Sequence, residues 1–150
     1  MDYEINVDTN AIIPINDEKS YIMEPESEYY VSGSTTDVIE HSCEYFGSSY
    51  EGRSIGTYNL LGIQHKIPII IEESSNIIFF PTASPRRNEC FWLSYENITK
   101  FDKGNNAKST LVEFKSGQKL MVPVSLHSFS NQYLRAGRLK AVISSRKLQK

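Results

Sequence analysis

Only two of the 150 residues are cysteine, Cys43 and Cys90, which is too few for a disulfide framework and makes a reducing cytosol the expected setting. Long hydrophobic runs are also missing. Stretches such as Ile69–Ile71 and Ile77–Phe80 fall far short of the roughly 20 residues that span a bilayer. The N-terminus carries Asp2, Glu4 and Asp8 where a signal peptide needs a positive region and an apolar run. There is no internal repeat, no low-complexity linker, no phosphate-binding glycine fingerprint, no nucleophile elbow and no zinc-protease helix. What is present is ordinary globular material, 39% hydrophobic, 23% charged and 11% aromatic. A chain of this size buries roughly two thirds of its unfolded surface and folds without a staple. The expectation is one domain over residues 1–150, with an acidic, loosely held N-terminal segment (about 1–35).

Bases are scarce in the first third. Residues 1–51 hold twelve acids and a single base, Lys19, a balance of −11, whereas residues 52–150 hold fifteen bases and six acids, a balance of +9. Such a division focuses a positive field on part of the surface, as binding to a polyanion requires. The competing reading is that the two parts pack together and neutralise each other.

The pattern predicts an α+β fold, mostly antiparallel β hairpins, with a short helix near 36–46 and a basic C-terminal helix near 128–148. Residues 3–32 read as short strands with turns at Asp8–Asn10, Asn16–Lys19 and Glu24–Glu28. Thr36 or Asp37 can cap the first helix, and Gly47 ends it. A Gly/Ser-rich loop, Gly47–Gly56, and a strand near Thr57–Ile63 are expected next. Ile67–Glu72 and Ile77–Pro81 flank turn chemistry at Ser74–Asn76, and Cys90–Tyr95 reads as another strand. Thr110, Val112 and Phe114 alternate, Ser116–Gly117–Gln118 turns, and Leu120, Val122 and Val124 alternate back. In the last stretch Phe129, Tyr133, Ala136 and Ile143 share a helical face, but Lys140 falls in the same stripe and Gly137 is expected to interrupt it. From Arg135 to Lys150 there are six bases and no acid.

The cations offer the best candidate site. Arg53 closes the Gly/Ser-rich loop, whose small residues let backbone amides approach phosphates. Lys66 follows His65 at the start of a strand, Arg86–Arg87 sit on a loop bracketed by Pro81 and Pro85, and Arg135 and Arg138 lie on the last helix. Basic groups on several separate segments suit a polyanion of extended shape. Taken one at a time, each is also explained as a solubilising loop charge or a cation favoured by a helix C-terminus. Cys43, His65 and Cys90, with His41 or His127, are the least favoured alternative, a metal site or a Cys–His nucleophile. Their spacing lacks close-set ligand pairs, and buried small thiols explain both cysteines better. No catalytic residue, metal or cofactor is assigned.

The segment Cys43-Glu44-Tyr45-Phe46-Gly47-Ser48-Ser49-Tyr50-Glu51-Gly52-Arg53, followed by Gly56-Thr57-Tyr58, resembles the signature block of the competence transcription factor (ComK) family. The resemblance continues through Ile63, His65-Lys66, Pro68, Phe79–Pro81-Thr82, Cys90 and Trp92, then Ser128-Phe129, Asn131-Gln132 and Arg135, covering about residues 42–140. It implies a bacterial, cytoplasmic, nucleoid-associated regulator that binds double-stranded AT-rich promoter DNA and activates genes of competence. It further implies a homo-oligomer on DNA, contact with RNA polymerase, and control by an adaptor and its protease. Minor-groove binding suits the residues: the groove's base code is degenerate, and Arg and Lys select A·T tracts by width and potential. No helix-turn-helix pattern is evident. Longer members continue past the position of Lys150, so the alternative is a truncated member acting as a DNA-binding competitor or an adaptor-binding protein without activation.

Overall fold

The computed structural model describes residues 1–148; Lys150, counted above in the basic tail, lies outside them. Alternation builds the framework. Ile69 and Ile71 point to one side of their strand and Ile70 to the other, and Ile77 and Phe79 oppose Ile78 and Phe80 in the same way. All of these residues are buried, so the sheet they form must be covered on both faces. That sheet contains β1 (Ala11–Asn16), β2 (Lys19–Met23), β3 (Glu28–Ser32), β4 (Ile69–Glu72), β5 (Ile77–Pro81) and β6 (Trp92–Ser94). Its spatial order is β3-β2-β1-β6-β5-β4, with every neighbouring pair antiparallel.

One face is covered by α1 (Thr35–Tyr45), through a cluster that includes Val38, Ile39, Cys43, Phe79, Cys90 and Trp92. The other is covered by a three-stranded sheet, β7 (Ile98–Lys103), β8 (Thr110–Phe114) and β9 (Lys119–Val122), together with α3 (Leu126–Leu148). Phe80, Val112, Phe114, Phe129, Ala136 and Leu139 meet in that second cluster. Phe101 of β7 stacks on Phe129 and Tyr133 of α3, with centroids 4.9 Å apart in each pair. The α+β expectation and both central hairpins hold. The acidic N-terminal segment is firmly held, since β1 lies inside the large sheet and Ile5, Ile12 and Ile22 are fully buried.

Three local expectations are corrected. Residues 47–63 form α2 (Tyr50–Leu61) instead of a loop and a strand. Ser49 caps this helix by accepting the Gly52 N–H at 2.9 Å, and Gly62, at φ +73°, closes it by donating to the Tyr58 carbonyl at 2.7 Å. Its β-branched Thr57 is buried because its hydroxyl donates to the Pro68 carbonyl at 2.9 Å. The cap of α1 is Ser34, one turn ahead of Asp37, and the two form a reciprocal capping box. Finally, Gly137 leaves α3 unbroken, and Lys140 joins the half-buried face by pairing with Glu96.

Candidate nucleic-acid interface

Two loops and two helix starts enclose a cleft of about 520 Å³. Gln64, His65 and Lys66 form one wall, Ser84–Arg86 the other, and Thr36 of α1 and Tyr50 of α2 line it as well. Each wall is fastened to the core. On the first, the buried amide of Gln132 on α3 donates to the carbonyls of Lys66 at 2.8 Å and Pro81 at 2.9 Å. Arg135, one turn further on, donates to the His65 carbonyl at 3.1 Å. Lys66 itself is held in the left-handed region at φ +50°, a conformation these neighbouring bonds stabilise. On the second wall Thr36 donates to the Pro85 carbonyl at 2.8 Å, and Trp92 Nε1 donates to the Thr36 hydroxyl at 3.2 Å.

Lys66 and Arg86 therefore face one cleft, with Arg135 bonded to its rim and exposed Arg138 three residues further along α3. Arg87 is adjacent but leans towards Glu89 at 3.3 Å, an exposed pair that contributes at most about 1 kcal/mol. Arg53 stands apart from these five. It sits in the first turn of α2, half-buried, with Nε shielded from solvent and without a partner among the described residues. Its charge reaches the Cys43 thiol. The phosphate-cradling loop expected at Arg53 is thus replaced by a helix.

The charge division persists in three dimensions. Asp2, Glu4, Asp8, Glu24 and Glu28 surround a separate cleft. Among the described residues no ion pair joins an acid of residues 1–51 to a base of residues 52–150: His41–Glu4 lies within the first part and every other pair within the second. The two parts do not neutralise each other by contact, and Lys66, Arg86, Arg135 and Arg138 have no carboxylate partner among the described residues.

The ComK protein family matches residues 1–148. The chain belongs to that family. It is 37% identical over 147 residues to a Bacillus subtilis (strain 168) protein named competence transcription factor, an alignment that covers 96% of this chain and 76% of the relative. No solved structure matches.

Within this ComK fold, α1 and α2 are consecutive helices joined by a short turn, an arrangement the sequence did not disclose. The exposed positions of α2, Glu51, Gly52, Ile55, Tyr58 and Asn59, include no cation. Sequence reasoning named Gln132 only within the family resemblance and without a role, although its place among Phe129, Ala136 and Leu139 on the buried stripe marks an amide that needs partners. It missed Lys100 and Lys119, which flank Glu113 at 3.9 Å each on the small sheet. The cysteines lie in the first core cluster, and burial pushes both thiols up to about 11, so neither is a thiolate at neutral pH. No described helix is long and apolar enough to cross a membrane.

Proposed function

We propose that this protein is a sequence-specific DNA-binding regulator of competence genes that binds AT-rich promoter boxes mainly through the minor groove and activates transcription from them. The observation that carries the reading is the cleft where Lys66 and Arg86 converge, with Arg135 on its rim and no carboxylate among its lining residues. Arg87 and Arg138 extend that surface, while Arg53, on α2, does not line the cleft. Cations held on rigid loops fit a narrow A·T groove, where negative potential is strongest and base edges carry little code. The family and the relative's name support the regulatory role. In this reading copies bind successive boxes as a homo-oligomer at the nucleoid, beside RNA polymerase and under control of an adaptor and protease. A gel-shift titration on an AT-tract duplex against a G·C-rich duplex tests it. Tighter binding to the AT-tract, weakened in Lys66→Ala and Arg86→Ala, is the expected result. Equal affinity for both duplexes refutes the groove assignment.

A further inference from the structure

β3 is the outer strand of the large sheet, and the direction of its backbone groups follows from its partner. The Gly33 N–H donates to the Glu18 carbonyl at 2.7 Å, and the Glu24 N–H donates to the Ser27 carbonyl at 3.1 Å, so Ser27 and Gly33 turn towards β2. Antiparallel ladders alternate, so Tyr29 and Val31 do the same. Glu28, Tyr30 and Ser32 therefore aim their N–H and carbonyl groups outward, away from the sheet.

Native sheet edges are blunted by lysine, proline, a bulge or a cover. The sequence Glu28-Tyr29-Tyr30-Val31-Ser32 has neither lysine nor proline, and the β2–β3 register runs without a shift. At the opposite edge the isoleucines of β4 are buried and α2 packs beside them, whereas Tyr29 and Tyr30 stand 42% and 62% exposed. Beside β3 runs a groove of about 870 Å³, with residues 2–8 on one wall and residues 24–31 on the other. Tyr3 and Asn6 donate to the Glu24 carboxylate across one end, at 2.6 and 3.3 Å, but among the described residues no backbone hydrogen bond joins the two walls. Five carboxylates, Asp2, Glu4, Asp8, Glu24 and Glu28, line it; Glu4 pairs with His41, Glu24 accepts from Tyr3 and Asn6 and Glu28 from Tyr21, but none has a lysine or arginine partner among the described residues.

We propose that this groove docks an extended, basic segment of a partner protein, which adds to β3 as a further strand of the sheet. The outward groups of Glu28, Tyr30 and Ser32 supply main-chain hydrogen bonds, the two tyrosines supply apolar cover, and the carboxylates select lysine or arginine on the incoming strand. Pairing β3 with β3 of a second copy would bring the two sets of five carboxylates together, which charge disfavours. DNA is repelled from the groove for the same reason, so the partner and DNA occupy different surfaces.

The probes are a capped alternating Lys-Val hexapeptide and the same peptide N-methylated at alternate residues, which cannot complete a ladder. Binding to the full chain is followed by isothermal calorimetry and amide hydrogen exchange. The unmethylated peptide binds, slows exchange at Glu28, Tyr30 and Ser32 but not at Tyr29 and Val31, and loses about tenfold or more in affinity on methylation, since several net hydrogen bonds are removed. Tyr30→Pro removes an outward N–H together with the ring that packs on Tyr21, and leaves the ladder to β2 intact, so it weakens the peptide beyond a Tyr30→Ala control, which loses the ring alone, while the circular dichroism of both is kept. Should that variant not fold, the methylated peptide tests the same bonds on the native chain. Equal binding of both peptides shows charge attraction alone and overturns the proposal, as does no binding of either. Self-association of the chain without peptide, lost in Tyr30→Pro, assigns the groove to a second copy and overturns it too. Because no DNA is present, none of these outcomes depends on the proposed promoter binding.

Discussion

A Cβ at Gly137 would stand 2.9 Å from the hydroxyl oxygen of Tyr95, closer than real side chains approach one another. Tyr95 cannot step aside cheaply, because its ring is stacked on Tyr133 with centroids 4.8 Å apart. The glycine in mid-helix is thus the means by which α3 and the segment after β6 come into contact. In an ordinary helix interior Gly→Ala stabilises by about 1 kcal/mol. Here the contact reverses the sign: Gly137→Ala lowers the melting temperature. Tyr95→Phe removes the offending oxygen and leaves ring carbons at 3.4 Å, an ordinary contact, so Gly137→Ala in that background recovers most of the loss. Thermal denaturation of the four proteins of this double-mutant cycle is the measurement, and additive effects would show that the hydroxyl is not responsible.

Gln132 links α3 to the proposed DNA surface. Both bonds of its amide nitrogen go to carbonyls, of Lys66 and Pro81, and its oxygen accepts from Arg135 at 3.1 Å. Gln132→Leu keeps the bulk but leaves buried polar groups unpaired, so it should cost about 1–3 kcal/mol. Part of that loss falls on the loop that holds Lys66, so DNA affinity of the folded fraction drops as well. A chemical-denaturation curve and a gel shift on the same sample check both. A stability loss with unchanged affinity would mean that Lys66 does not need its anchor.

These two residues mark where reading the sequence succeeds and where it stops. The hairpins of β4–β5 and β8–β9 were legible because strict alternation and turn residues are local signals. α2 was not, since Gly52, Gly56 and the run Thr57–Ile63 carry poor helix formers, and the caps Ser49 and Gly62 together with packing override them. β7 escaped notice because Lys100 and Asp102 line its solvated face and only Ile98 and Phe101 point inward. The cations of the proposed site were visible singly. Their convergence was not, because it depends on Gln132 and Thr36 tying loops that lie 66 and 49 residues from them in sequence.

The cysteines give a pH dependence. Burial raises both thiols from about 9 to about 11, so between those values the folded chain holds more protons than the unfolded one. Stability contributed by the neutral thiols is present below about pH 9 and is lost as pH rises towards about 11. Replacing both with alanine flattens the alkaline side of the stability profile, at a cost of about 1–3 kcal/mol at neutral pH from the cavities left. Denaturation at stepped pH from 7 to about 11 tests the sign. Zinc bound stoichiometrically to the native chain and lost in the double variant would instead revive a metal site.

The salt response of DNA binding tests how the charge is divided. If Lys66, Arg86, Arg87, Arg135 and Arg138 each neutralise a phosphate, log K falls with log salt at a slope of about −4 to −5 per subunit, and copies on successive boxes steepen it further. Single alanine substitutions at these positions each reduce the slope by about 1. Arg53→Ala should alter the slope least, because its Nε is shielded and it does not line the cleft. Lys100→Ala and Lys119→Ala, on the small sheet, serve as surface controls. The acidic side needs a gentler probe than truncation, since residues 11–16 form an inner strand whose removal would open the sheet. Asp2→Asn with Asp8→Asn keeps the fold and removes two charges from the acidic groove. If that groove faces away from DNA, the slope stays put and affinity rises only slightly at low salt, where screening is weakest. A several-fold rise would mean that the acids lie over the bound DNA. A slope shallower than about −2 in the unaltered chain would contradict phosphate-dominated binding at the cleft altogether.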